Sequence, residues 1–330
     1  MDREVKYYVL NDKAYLTWKE PELRSYDPDK NIYTRTEQHE YSAPFPTDLL
    51  RFIYLEEAPL EKLVIHADKV LRTLMQTNDL ACYGTVQSDL KRLRELHPYF
   101  RIVELEWQDI LDEVKAGDMH DLVDAYTKKR ISHIAANMDH EQRIMKDILY
   151  RVLDTDLSKK TTQERMKDYV EYCNSRYEYL FEFKELATQF EQTPHGFAVV
   201  LHPKTVFDVV DFALRLCIQR GERMRVCKNC GRYFAIKKSL KAEYCAIFPD
   251  EKGRTCRDTG AISAWTKKRE NDDVYKNFRR EYKKRFARIK AKTLLPDEFY
   301  RWSEQARQKK EQCDAGTITP EEFAAWLAKS

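Results

Sequence analysis

Glycine is scarce in this chain, with 8 residues in 330. The phosphate-cradling loops that depend on it are missing: neither GxxxxGK(S/T) nor GxGxxG occurs, and GxSxG and HExxH are absent as well. Nucleotide hydrolysis on a P-loop, dinucleotide binding, serine hydrolysis and helix-borne zinc proteolysis therefore have no support from motifs. Few glycines beside 34% charged residues argue for helices over a glycine-punctuated all-β fold. Long apolar runs are missing too. Phe197–Leu201 is among the longest, far short of the ~20 residues that span a bilayer. The opening Met1-Asp2-Arg3-Glu4-Val5-Lys6 has no basic stretch followed by an apolar one, as a signal peptide would. No internal repeat or low-complexity tract is visible. These absences lead to the expectation of a soluble, cytoplasmic protein with no membrane partner.

The net charge of +3 conceals an asymmetry. Residues 220–330 carry 28 Lys and Arg against 16 Asp and Glu, while residues 1–219 carry 30 against 39. A basic C-terminal third beside an acidic body implies an anionic partner for the former, or docking of the one part on the other.

The expected fold class is mainly α, with a helical N-terminal body, a small N-terminal β-hairpin and a C-terminal zinc finger followed by helices. The hairpin is read from Val5–Leu10 and Ala14–Trp18 around Asn11-Asp12-Lys13. Residues 20–47, with four prolines, are expected to be an irregular or edge-strand connection. From Pro59 the helical period appears: Leu60, Leu63, Val64, Ala67, Val70, Leu71 and Leu74 share a face. Short helices are expected through Leu153, broken near Gly84, Pro98 and Gly117. Thr161 and Glu164 form a capping box before a stripe running from Met166 through Tyr177, Leu180 and Phe181 to Ala187. That stripe is read as intramolecular core or, alternatively, as the seam of a homodimer or a protein partner. A further helix over 205–219 buries Val206, Val209, Val210, Ala213, Leu214, Cys217 and Ile218. The expected domains are a body over 1–220, a four-cysteine finger over 221–270, and a basic helix with a helical tail over 271–330.

Of the eight cysteines, four are grouped as Cys227-x2-Cys230-x14-Cys245-x10-Cys256. Cys227-Lys228-Asn229-Cys230-Gly231 has the form of a zinc knuckle, whose short turn aims two sulfurs at one ion. Gly231 suits the residue after the second cysteine, which often needs positive φ. Arg232–Ile236 alternates like a strand, and Glu243-Tyr244-Cys245 is read as the returning strand. Cys256 is placed on the first turn of a helix, whose positive end stabilises a thiolate. Knuckle, hairpin and helix carrying the last ligand is the order of a treble clef. Four thiolates close the coordination sphere, so the expected cofactor is structural Zn2+. Cys82, Cys173, Cys217 and Cys313 stand singly in apolar-periodic segments and are read as buried, inert thiols.

The run Cys-x2-Cys-Gly-x-Tyr-Phe, then Tyr244-Cys245, Thr255-Cys256-Arg257-x-x-Gly260-Ala261 and a basic helix resembles a Firmicutes-type bacterial family of uncharacterised proteins. That family ends in a treble clef similar to the CGNR zinc finger. The resemblance covers about residues 205–330. It implies Cys227, Cys230, Cys245 and Cys256 as metal ligands, and a helical body carrying a DNA-binding finger. The chain departs from the CGNR pattern in the ten residues before Cys256, and in having Arg257-Asp258 where Gly-Asn would follow.

From Ala261 to Lys292 the sequence is helix-compatible, with a new N-cap at Asn271-Asp272-Asp273. Tyr275, Phe278, Tyr282, Phe286 and Ile289 form a narrow apolar seam, and only Glu281 interrupts the basic residues between Asp273 and Lys292. Lys276, Arg279, Arg280, Lys283, Lys284 and Arg288 are the expected contacts to nucleic acid, DNA ahead of RNA, through backbone phosphates. The tail Gly316–Phe323 echoes half of a calcium-binding loop. Cys313 and Ala315 would then occupy ligand positions without oxygens, and a capping box at Thr319 and Glu322 explains the pattern better. His133, His140, His195 and His202 are scattered, and the acidic pairs Asp121/Asp124 and Asp208/Asp211 have the spacing of charged helix faces. No catalytic residue is assigned. The expected function is a zinc-binding, non-enzymatic DNA-binding regulator or mobile-element accessory protein. A zinc-stabilised protein–protein interaction module and a metal-dependent nuclease are the alternatives.

Overall fold

The computed structural model describes residues 3–22, 35–79, 81–115, 119–129, 131–176, 183–237, 239–269 and 272–329. The protein is mainly α and forms two compact units: Met1–Cys227 with Gly231–Phe248, and Lys228–Cys230 with Pro249–Ser330.

In the first unit, β1 (Val5–Leu10) and β2 (Lys13–Glu22) form the expected hairpin. Asn11 and Asp12 both take positive φ, as a two-residue turn matched to strand twist requires. The hairpin belongs to a larger sheet. β3 (Arg35–Pro44) pairs along β2, and a second hairpin of β4 (Thr188–Thr193) and β5 (Gly196–Leu201) joins β1, giving the antiparallel order β3-β2-β1-β5-β4. Neither β4 nor β5 was legible locally. β4 reads Thr-Gln-Phe-Glu-Gln-Thr, without an apolar alternation, and β5 is a short apolar run whose partner lies far away in sequence.

The helices of this unit are α1 (Thr47–Ile53), α2 (Glu57–Thr77), α3 (Ala81–Leu96), α4 (Arg101–Lys115), α5 (Met119–Lys128), α6 (Ser132–Ile148), α7 (Thr162–Arg176) and α8 (Val206–Arg220). Their apolar faces meet one face of the sheet (Tyr7, Val9, Ala14, Leu16, Leu201) in a single core. In α2, Leu60, Val64, Ala67, Leu71 and Leu74 are buried as their spacing predicts. The break expected near Gly84 does not occur. α3 runs through it, because one glycine costs a helix only about 1 kcal/mol and the flanking apolar face offsets that. The break at Pro98 is real and holds a 3-10 turn, while Gly117 lies outside the described residues. The Thr161–Glu164 box caps α7: the Thr161 N–H donates to the Glu164 carboxylate at 2.7 Å and the Glu164 N–H to the Thr161 hydroxyl at 3.3 Å. α7 is described as far as Arg176, with Tyr169 and Cys173 of the expected stripe buried; Tyr177, Leu180 and Phe181 lie outside the described residues, and Ala187 is not helical. α8 begins at a Thr205–Asp208 capping box and buries every residue assigned to its core face. Cys173 and Cys217 are buried as expected, but Cys82 and Cys313 are only half-buried, since each sits at the margin of its apolar stripe.

The second unit contains α9 (Cys256–Arg269), α10 (Asp273–Lys290), α11 (Pro296–Asp314) and α12 (Pro320–Lys329). Phe299, Trp302, Ala306, Phe323 and Leu327 form its own small core, against which Phe278, Tyr282 and Ile289 of α10 pack. The Thr319–Glu322 box caps α12, with the Thr319 N–H donating to Glu322 at 2.8 Å. No helix among the described residues is long and apolar enough to cross a membrane.

Candidate metal centre and basic helix

Two three-residue strands, β6 (Met224–Val226) and β7 (Tyr233–Ala235), pair antiparallel. The turn between them is the knuckle. The Cys227 N–H donates to the Arg232 carbonyl and the Gly231 N–H to the Cys227 carbonyl, both at 2.9 Å. Gly231 adopts φ of 73°, as its place after Cys230 led us to expect. The returning strand expected at Glu243–Cys245 is not a strand. The partner of β7 lies upstream of the knuckle instead. The Arg225 guanidinium donates to the Leu240 and Ala242 carbonyls, at 2.8 and 3.0 Å, so side-chain bonds tie this segment to β6.

Downstream, Asp250 organises the approach to the last cysteine. Its carboxylate accepts from the Lys252 and Arg254 N–H groups, each at 2.9 Å, and from the Arg254 side chain, which holds its pKa below the usual carboxylate range. Thr255 then caps α9. Its N–H and hydroxyl both donate to Asp258 at 2.8 Å, and this bonding lowers the Asp258 pKa. Cys256 is thereby set on the first helical turn, where sequence reasoning placed it.

The sulfurs of Cys227, Cys230, Cys245 and Cys256 all lie within 4.8 Å of one another. Tetrahedral zinc with Zn–S of about 2.3 Å needs sulfur–sulfur edges of about 3.8 Å, so the quartet is close enough to hold one ion. Cys227, Cys245 and Cys256 are buried and Cys230 is the most open. The Cys245 N–H points at Cys227 Sγ and the Asn229 amide at Cys256 Sγ, both at 3.3 Å. Asn229, Asp250 and Asp258 were not assigned from sequence. Thr255-x-x-Asp258 carried a readable capping signal, whereas nothing local marked the Asn229 amide.

α10 begins where the sequence placed a new N-cap, with Asp272 accepting from the Tyr275 N–H at 2.8 Å. None of its residues is buried. Lys276, Arg279, Arg280, Lys283, Lys284 and Arg288 are all exposed. At 100° per residue they fill one arc of about 180°, opposite the seam that packs on the C-terminal core. Lys276 meets Asp273 at 3.3 Å and Lys284 meets Glu281 at 3.5 Å. Among the described residues no carboxylate pairs with Arg279, Arg280, Lys283 or Arg288.

Of the remaining candidates, His133 and His140 are exposed on α6. His195 bonds Glu40 at 2.8 Å and His202 bonds Glu191 at 2.5 Å. Asp208 caps α8, Asp211 binds the Lys184 N–H at 2.9 Å, and Asp124 pairs with Lys128 at 2.8 Å. The Asp121 side chain lies outside the described residues.

Residues 181–329 match the model of a family of unknown function (DUF6076), a span that contains the cysteine quartet and α9 to α12. No curated protein and no solved structure matches the chain.

Proposed function

We propose that the protein binds one structural zinc ion through Cys227, Cys230, Cys245 and Cys256, and binds DNA through the exposed basic arc of α10. The closeness of the four sulfurs, all within 4.8 Å of one another, supports the first half, and so does Cys256 on the first turn of α9, the place of the last ligand in a treble clef similar to the CGNR finger. Four sulfur ligands leave no position for a water nucleophile, so the metal braces the fold and catalyses nothing. The observation that carries the second half is the exposure of all six cations on one side of a helix whose other side is packed. Phosphate contacts of this kind carry no base code, so binding is tolerant of sequence. A regulator or mobile-element accessory protein is the role that suits such a domain beside a larger body.

Binding to random duplex DNA at several salt concentrations tests the reading. Six phosphate contacts give a slope of log K against log salt of about −5. Reversing Arg279, Arg280, Lys283 and Lys284 to Glu removes binding and leaves zinc at one ion per chain. A flat salt response rejects the DNA reading. Loss of zinc in the reversed variant shows that α10 holds up the fold.

A further inference from the structure

Phe286 is the one phenylalanine of α10 that stays open to solvent. It is 47% exposed, whereas Phe278, Tyr282 and Ile289 of the same seam pack against the C-terminal core. Its ring rests on Phe299 at 5.8 Å between centroids, so it is anchored on one side and bare on the other. On the helical wheel it stands at the border between seam and cations. Arg279, Lys283 and Lys290, all exposed, lie within about 60° of it, over a rise of about 16 Å. Arg279 in turn lies over the Tyr275 ring, 6.0 Å from its centroid, on the same border. Tyr275, Arg279, Lys283, Phe286 and Lys290 thus follow one another along one flank of the helix, with cations on either side of the Phe286 ring.

Paired DNA gives such a ring nothing to stack on, because the base faces are already stacked inside the duplex. An unpaired strand offers base faces to aromatic rings and phosphates to the cations between them, and every base has such a face. We propose that α10 prefers single-stranded DNA, with Phe286 stacked on a base and Arg279, Lys283 and Lys290 holding the flanking phosphates. This rests on the DNA-binding reading above and deepens it.

The test uses the full chain loaded with zinc, an oligo-dT strand and a duplex of equal length at one salt concentration. The strand binds more tightly than the duplex. Phe286→Ala weakens binding to the strand about ten-fold, the loss of one base–ring stack, and leaves the duplex within about two-fold. Phe286→Trp restores the strand affinity, and oligo-dT quenches the fluorescence of the new indole. Equal binding of strand and duplex, or an equal loss on both in Phe286→Ala, overturns this inference while a steep salt slope on duplex leaves the DNA reading standing. Tighter binding of oligo-U than of oligo-dT overturns the assignment to DNA. Binding of neither strand nor duplex removes both readings together.

Discussion

The Tyr233 phenol donates a 2.9 Å hydrogen bond to the Asp154 carboxylate, and both residues are buried. Asp154 ends the π-helical turn Leu149–Leu153, and Tyr233 opens the strand that follows the knuckle. The other Asp154 oxygen accepts from the Asp156 N–H at 2.8 Å, and its backbone carbonyl takes the Arg165 guanidinium. Burial and the neighbouring carboxylate push the Tyr233 pKa well up, so the phenol remains a donor at any physiological pH.

Tyr233→Phe keeps the ring and leaves one oxygen of a buried carboxylate without its donor. The unfolding free energy falls by about 1–3 kcal/mol in denaturant titrations. A loss below about 0.5 kcal/mol means that water reaches Asp154 once the phenol is gone.

Two glycines respond to alanine in opposite directions. Gly231 has φ of 73° with nothing within 4 Å of an added Cβ, so the penalty of Gly231→Ala is conformational, about 1 kcal/mol, with a matching drop in zinc affinity. Gly84 sits inside α3, also with open space around it, and Gly84→Ala stabilises by about 0.5–1 kcal/mol. Thermal melts of the pair check both signs.

Removing the metal unfolds its surroundings. Cys256→Ser or an excess of chelator lowers Tm and reduces bound zinc to well below one per chain by mass spectrometry under native conditions. Structural zinc contributes on the order of 10 kcal/mol in small fingers, so the effect is large where the fold depends on the ion. Full retention of Tm after chelation contradicts a structural metal.

Acid destabilises the first unit through His97. The ring is buried; Nε2 donates to the Asp48 carbonyl at 3.0 Å and Nδ1 accepts from the Tyr99 N–H at 3.2 Å. Burial pushes its pKa down to about 3 from an ordinary value of about 6.5. The folded value lies below the unfolded one. Stability from the neutral ring is therefore complete above about pH 6.5 and drains away as the pH falls towards about 3. The Asp48 carboxyl, raised by burial against the Tyr41 hydrogen bond, acts with the opposite sign and favours the folded state in acid. Comparison with His97→Gln isolates the histidine. The variant is less stable at pH 7, and the gap narrows by about 1.4 kcal/mol for each unit below about pH 6. A gap that stays constant removes His97 from the acid response.

Much of the candidate site was legible because its signals are local. Cys227-x2-Cys230-Gly231 encodes a turn within five residues, and Thr255 places Cys256 on a helix start by a bond three residues long. Asp272 starts α10, and the cations follow at helical spacing. The fold of the body was less legible, since Gly84 marked a break that burial overrides and β4 carries no period-two pattern.

The primary structure by itself determined where α7, α8, α10 and α12 start and which faces α2 and α8 bury, since each depends on side chains within a turn or two of one another; it also marked the four cysteines by their grouping, but their sulfurs meet only in the fold. Tertiary packing alone decided that β5 lies against β1, pairing Tyr7 with Leu201, and that β6 rather than residues 243–245 partners β7. Strands choose partners by burying distant surfaces and by satisfying backbone groups that only the assembled fold brings within reach.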